Sequence, residues 1–127
     1  MTGKFWLGSI LLTLLLILGL VVAAGMDRVH LPIATDLEKA AEISLTGDFT
    51  AANDLAEKAK AQWEKHWHAT ATVADHEPME DIDGLFSQME IYRKNENREE
   101  FSAYCSRLSV LIEAVSEAQR LNWWNLL

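Results

Sequence analysis

The feature that most constrains this chain is an uncharged, strongly apolar run near its N-terminus, from Phe5 to Met26. At a rise of about 1.5 Å per residue, a helix over this run would extend roughly 33 Å, which matches a hydrocarbon core of about 30 Å. Lys4 precedes the run, whereas Asp27 and Arg28 follow it and cancel in charge. The positive-inside rule therefore predicts a single-pass protein of the cell membrane: 1–4 cytoplasmic, 5–26 transmembrane and 27–127 outside.

A second interpretation of the same run is a secretory signal peptide. The small residues Val22, Ala23 and Ala24 before Gly25 form an acceptable cleavage site, after which the protein would be secreted. The run exceeds the usual apolar region of a signal peptide, about 7–15 residues, and the segment before it is only weakly basic. Both features favour an uncleaved anchor, and secretion remains the alternative.

The residues after the apolar run are acidic. The chain holds 11 Lys/Arg and 19 Asp/Glu, and Lys4 is the one charged side chain before Asp27. This balance argues against nucleic acid or anionic lipid as the main partner, because both require clustered basic residues. The single Cys105 excludes an intrachain disulfide framework.

The spacing of apolar residues predicts where the outer helices begin. Residues 27–34 contain Pro32 and are expected to form a short linker. Thr35 and Glu38 have the spacing of a capping box, so the first outer helix is expected to start there and to end at Gly47.

Three further stretches repeat apolar residues every three or four positions, which is typical of helices. They begin at Asp48, Pro78 and Asn97, where Asp48 and Asn97 are the expected helix caps. The short breaks at Gly47 and at 94–97 imply antiparallel hairpins. The predicted fold is all-α, with an N-terminal transmembrane helix followed by a small antiparallel helical bundle over residues 35–127. We expect three aromatic residues to pack together in its core: Phe49, Trp63 and Phe101.

With these elements in place, the chain resembles an uncharacterised domain-of-unknown-function family (4363) of small membrane-anchored helical proteins from Firmicutes. Five patterns carry the resemblance: Thr46-Gly47-Asp48-Phe49-x-x-Ala52, Trp63, Asp75-His76-Glu77, Glu99-Glu100-Phe101 and Glu113-x-x-x-Glu117. The resemblance covers nearly the whole chain and brings no catalytic residues. It implies a single-pass extracytoplasmic helical protein that works beside a multi-pass membrane protein.

Aromatic and histidine side chains are the main candidates for contact with a partner. Trp63 and Trp67 share one face of the second outer helix, either as core or as an aromatic binding surface. An antiparallel order of four outer helices would return the paired tryptophans at the C-terminus to the bilayer, where indole rings suit the headgroup region. The candidate residues are Trp63, His66, Trp67, Asp75, His76, Trp123 and Trp124.

An alternative function is metal binding, or metal-dependent catalysis, at the corner that contains Asp75 and His76. Acidic residues follow this corner, and carboxylate and imidazole groups are common zinc ligands. The usual helical metal signatures and nucleotide-binding fingerprints are absent from the sequence, so no cofactor and no enzymatic activity are predicted. The first hypothesis is a binding or accessory module for another envelope or membrane protein, of undetermined oligomeric state.

Overall fold

The computed structural model describes residues 2–73 and 76–125, with side chains described in these ranges except at 26, 72, 73 and 122–125. Four helices and no strand are found within the described ranges. They are α1 (Thr2–Thr46), α2 (Phe49–Val73), α3 (His76–Lys94) and α4 (Arg98–Asn125). The four helices pack against one another, which confirms the predicted all-α bundle. Among them, α1 is long and apolar enough to cross a membrane.

The expected linker over residues 27–34 was wrong, because α1 runs through it as one helix of 45 residues. Thr35 is accordingly an interior residue of α1 and not a helix start. A proline inside a helix removes one hydrogen bond and costs about 3 kcal/mol. Pro32 lies on the exposed side, while the same stretch buries three side chains in the core. The apolar burial of Ile33 and Ala34 and the buried hydrogen bonds of His30 offset this local cost.

The helices pair in a ring in which α1 lies between α2 and α4, and α4 lies between α1 and α3. The backbones of α2 and α3 approach each other least closely of the four neighbouring pairs. Long side chains bridge this wider gap, including an ion pair between Arg93 and Glu57 at 2.8 Å and one between Lys60 and Glu90 at 4.0 Å. The α2–α3 side is therefore the natural position for a groove.

A line of serines joins α4 to α1. Ser102 donates its hydroxyl to the carbonyl of Ala41, and Ser109 donates to the carbonyl of Ala34, both at 2.8 Å. Seven residues separate both the donors and the acceptors, which is the repeat expected where two long helices stay in register. Ser116 continues the line another seven residues along. Small side chains on both helices permit this close approach.

Both predicted hairpin boundaries are closed by the expected caps. The Asp48 carboxylate accepts from the amide of Ala51 at 3.1 Å, and the Asn97 side chain accepts from the amide of Glu100 at 3.3 Å. These turns share one end of the bundle, where Arg98 donates to the carbonyl of Gly47 at 3.0 Å. The opposite end contains the C-terminal end of α2, the N-terminal end of α3 and the C-terminal end of α4.

The predicted cluster of Phe49, Trp63 and Phe101 was wrong in one member. The rings of Phe49 and Phe101 meet edge to face, with centroids 5.3 Å apart. Trp63 lies 14 residues further along α2, about 21 Å away at the rise of an α-helix. Its ring instead neighbours His30 on α1, at 5.8 Å, and Phe86 on α3, at 6.4 Å.

Candidate functional site

The groove between α2 and α3 contains two of the tryptophans that the sequence singled out. Trp63 and Trp67 lie one helical turn apart on α2, so both side chains reach toward α3. The Nε1–H of Trp63 donates to Oδ1 of Asp83 at 2.7 Å, and the Nε1–H of Trp67 donates to Oδ2 at 2.8 Å. One carboxylate thus satisfies both indole donors.

Burial separates the roles of the two tryptophans. Trp63 is 1% exposed, which places it in the core and removes it as a surface for a partner. Trp67 is half-buried, with its ring 5.4 Å from that of His68 and 6.4 Å from that of His76. Trp67 is therefore the tryptophan of this pair that a partner can reach.

The groove has a volume of about 380 Å³ and a mixed polar and aromatic lining. Lys60 and Glu64 contribute opposite charges from α2, and Asp83 contributes a carboxylate from α3. Ser87 also lines the groove. Its hydroxyl donates to the backbone carbonyl of Asp83 at 3.2 Å. The hydroxyl proton of Ser87 and both carboxylate oxygens of Asp83 are engaged within the protein. These two side chains therefore suit structural support and binding more than proton transfer.

The structure brings together some of the remaining candidates and leaves others undescribed. His66 is half-buried and lies close enough to His30 to affect its ionisation. His76 is exposed at the start of α3, beside the ring of Trp67. Asp75 and the side chains of Trp123 and Trp124 lie outside the described residues, so their predicted contacts remain predictions.

The metal alternative gains no support from the described part of the chain. No group of three or more His, Cys, Asp or Glu residues there is arranged to hold a metal ion. Cys105 is fully buried in the core, and burial raises the pKa of its thiol to about 12. A thiol held protonated in this way is inert as a nucleophile or metal ligand at neutral pH.

A buried polar cluster around His30 was missed by the sequence analysis. His30 is 1% exposed, with Nδ1 3.0 Å from the hydroxyl of Ser116 and Nε2 3.2 Å from the hydroxyl of Thr70. Burial, followed by the charge of nearby His66, lowers the pKa of His30 to about 4, and Asp27 opposes this change. The three-helix contact fixes the end of the bundle from which the apolar part of α1 emerges. The four-residue spacing of His30 and Ala34, with Ile33 and Leu37 alongside, was the available signal.

Asp83 was also missed, because the sequence interpretation considered it only as one of the acidic residues that follow the Asp75–His76 corner. Its spacing from Ile82 and Phe86 places it at the edge of the buried face of α3, and this was the signal that could have identified it. An acid beside a core stripe requires a partner, and here the two tryptophans supply it.

Comparison with known proteins identifies a family for most of the chain. Residues 24–126 match the family described as Domain of unknown function (DUF4363). No curated protein and no solved structure shows significant similarity to the chain. The matched region begins near the end of the apolar run and covers the whole helical bundle.

Proposed function

The chain belongs to the DUF4363 family, and from that premise we propose that it is a single-pass membrane protein that holds a rigid acidic bundle on the outer side of the membrane to bind another membrane or envelope protein. The observation that carries this proposal is the continuity of α1. One uninterrupted helix contains both the exposed apolar run and the residues that α1 contributes to the buried core of the bundle.

The exposure pattern along α1 supports a membrane position for its first half. Large apolar side chains from Phe5 to Val21 are exposed, with values between 38% and 83%. From His30 onward the residues that face α2 and α4 are buried. Covering the first half with hydrocarbon would remove this apolar surface from water, at about 25 cal/mol for each Å². Lys4 before the apolar run favours a cytoplasmic N-terminus and hence an outward-facing C-terminal part.

A continuous helix would fix both the height and the rotation of the bundle relative to the bilayer. The bundle part of α1, from Asp27 to Thr46, extends about 30 Å at the rise of an α-helix. The bundle surfaces would therefore stay within reach of the outer parts of neighbouring membrane proteins. Such an arrangement suits stoichiometric binding or support of a partner, with no turnover.

Alkaline carbonate extraction of native membranes tests the anchor. We expect the protein to remain in the pellet, with an N-terminus that still includes Phe5. Recovery in the supernatant, or a mature N-terminus at Gly25, would overturn the anchoring part of the proposal and favour the secreted form.

Helix insertions test whether rotation of the bundle matters for partner binding. Two alanines placed between Ala24 and Gly25 would turn the bundle by about 200°, whereas four would turn it by about 40°. We expect purification in mild detergent to recover an integral membrane partner with the native and four-residue forms, and much less with the two-residue form. Equal recovery from all three forms would contradict rigid presentation, and recovery of the protein alone from native membranes would contradict partner binding.

A further inference from the structure

An apolar stripe runs along the exposed side of the second half of α4. Val110 is 64% exposed and Leu121 is 55% exposed, although both are large aliphatic residues. Three residues between them in the sequence lie on the same side of the helix: Leu111, Ala114 and Ala118. At 100° per residue, all five side chains fall within an arc of about 100° around the helix axis.

One edge of the stripe, together with Val115, forms one wall of a groove against the start of α3; the stripe residues that line it are Leu111, Ala114 and Ala118. His76, Pro78 and Ile82 form the opposite wall, and the groove has a volume of about 660 Å³. The small side chains of Ala114 and Ala118 leave this depth between the two helices. Arg120, on the adjacent turn of α4, lies 3.5 Å from Asp27 on α1. The groove is therefore at the end of the bundle from which the apolar part of α1 emerges.

Carboxylates flank the groove on both sides. Glu77 and Asp81 line it from α3. Glu113 and Glu117 are exposed on α4, and helical geometry places them on the other side of the apolar stripe. The described residues that line the groove include no Lys or Arg. An apolar floor between two acidic borders fits a ligand with an apolar ridge between two basic borders.

We propose that this α3–α4 groove is the docking surface for an amphipathic helix whose apolar ridge is flanked by Lys or Arg, supplied by a membrane protein partner. The proposal rests on the proposed function, because the anchor would hold the groove close to the bilayer surface, where juxtamembrane helices of other proteins lie. Helices bind such grooves through apolar side chains spaced by three and four residues. A second copy of this chain would bring carboxylates against carboxylates, and an anionic lipid surface would meet the same repulsion.

Site-specific photocrosslinking tests this surface in the full chain, reconstituted in phosphatidylcholine nanodiscs. The photoreactive residue p-benzoylphenylalanine replaces Val110 in the test protein and Ile91, which is 57% exposed on α3, in the control. The probe is a labelled helical peptide with a leucine ridge and lysine borders. Two further peptides serve as controls: one with glutamate borders, and one with the lysine composition in scrambled order. We expect crosslinks to the lysine-bordered peptide from position 110 and at least tenfold fewer from position 91.

A charge substitution inside the groove provides the second measurement. Ala114→Arg should lower the crosslinking yield at least tenfold, whereas Ala61→Arg, at an exposed alanine of α2, should leave it unchanged. Equal yields with the scrambled peptide, crosslinks from position 110 to lipid or to a second copy, or no effect of Ala114→Arg would each overturn the docking proposal. Each of these results leaves carbonate resistance intact, so failure of the groove is distinguishable from failure of the anchor.

Discussion

Trp63 and Trp67 converge on a single carboxylate, each donating its indole N–H to a different oxygen of Asp83. The two backbones of α2 and α3 are too far apart for close packing along this side. Large rings and a charged acceptor fill the gap instead. The Asp83 carboxylate therefore supplies directional hydrogen bonds that hold α2 and α3 in register. The line of serines has the same role between α1 and α4.

Replacing Asp83 with alanine should destabilise the bundle by about 2–4 kcal/mol. The substitution leaves the buried donor of Trp63 without a partner, and hydrogen bonds to charged groups contribute about 1.5–3 kcal/mol each. Trp67 is half-buried and can reach water, so its loss is smaller. Urea unfolding of the full chain in mild detergent, followed by circular dichroism, measures the change. Asp81→Ala, at an exposed position two residues away, is the control and should change stability by less than about 0.5 kcal/mol.

Truncation of the two tryptophans should give unequal losses. Trp63→Ala removes a fully buried ring between α1 and α3 and should cost about 3–5 kcal/mol. Trp67→Ala should cost less than half as much, because its ring already contacts water. Trp6→Ala, in the exposed apolar run, should leave bundle unfolding unchanged. Equal losses for Trp63→Ala and Trp67→Ala would contradict the assigned burial.

Local signals identified the hairpin ends correctly, because caps depend on bonds between residues three positions apart. Asp48 and Asn97 make those bonds whatever the rest of the chain does. The prediction of a linker over residues 27–34 was wrong for the opposite reason. The penalty of Pro32 is local, whereas the compensating burial of His30 depends on contacts with Thr70 and Ser116, 40 and 86 positions away.

The pairing of helices was beyond the sequence patterns as well. A 3–4 repeat shows which face of a helix is buried and leaves open which helix covers it. The groove residues of α3 and α4 could therefore be placed on faces but not brought together, and Asp83 could not be matched with Trp63. The serines of α4 are polar residues on a buried face, so an apolar pattern alone passes over them.

The serine line predicts a site that is sensitive to side-chain size. Ser109→Leu should force α1 and α4 apart and remove the bond to Ala34, with a loss of about 2–3 kcal/mol in the free energy of unfolding. Ser106→Leu places the same change at an exposed position of α4 and is the matched control. Urea unfolding of both variants measures the difference. A loss of similar size in the control would show that helix separation is not the cause.

Because the imidazole of His30 is buried, we expect the free energy of unfolding of the bundle to fall as the pH is lowered from 6.5 to 4. Its pKa is about 4 in the folded protein against 6.5 for an unperturbed histidine, so the unfolded state binds the proton first. Stability therefore rises with pH across this window and no longer depends on His30 above it. The shift corresponds to roughly 3 kcal/mol at most. Urea unfolding at several pH values should show this slope in the native chain and a shallower one in His30→Gln, which keeps a donor and an acceptor but has no proton to bind. An undiminished slope in His30→Gln would assign the pH dependence to other groups.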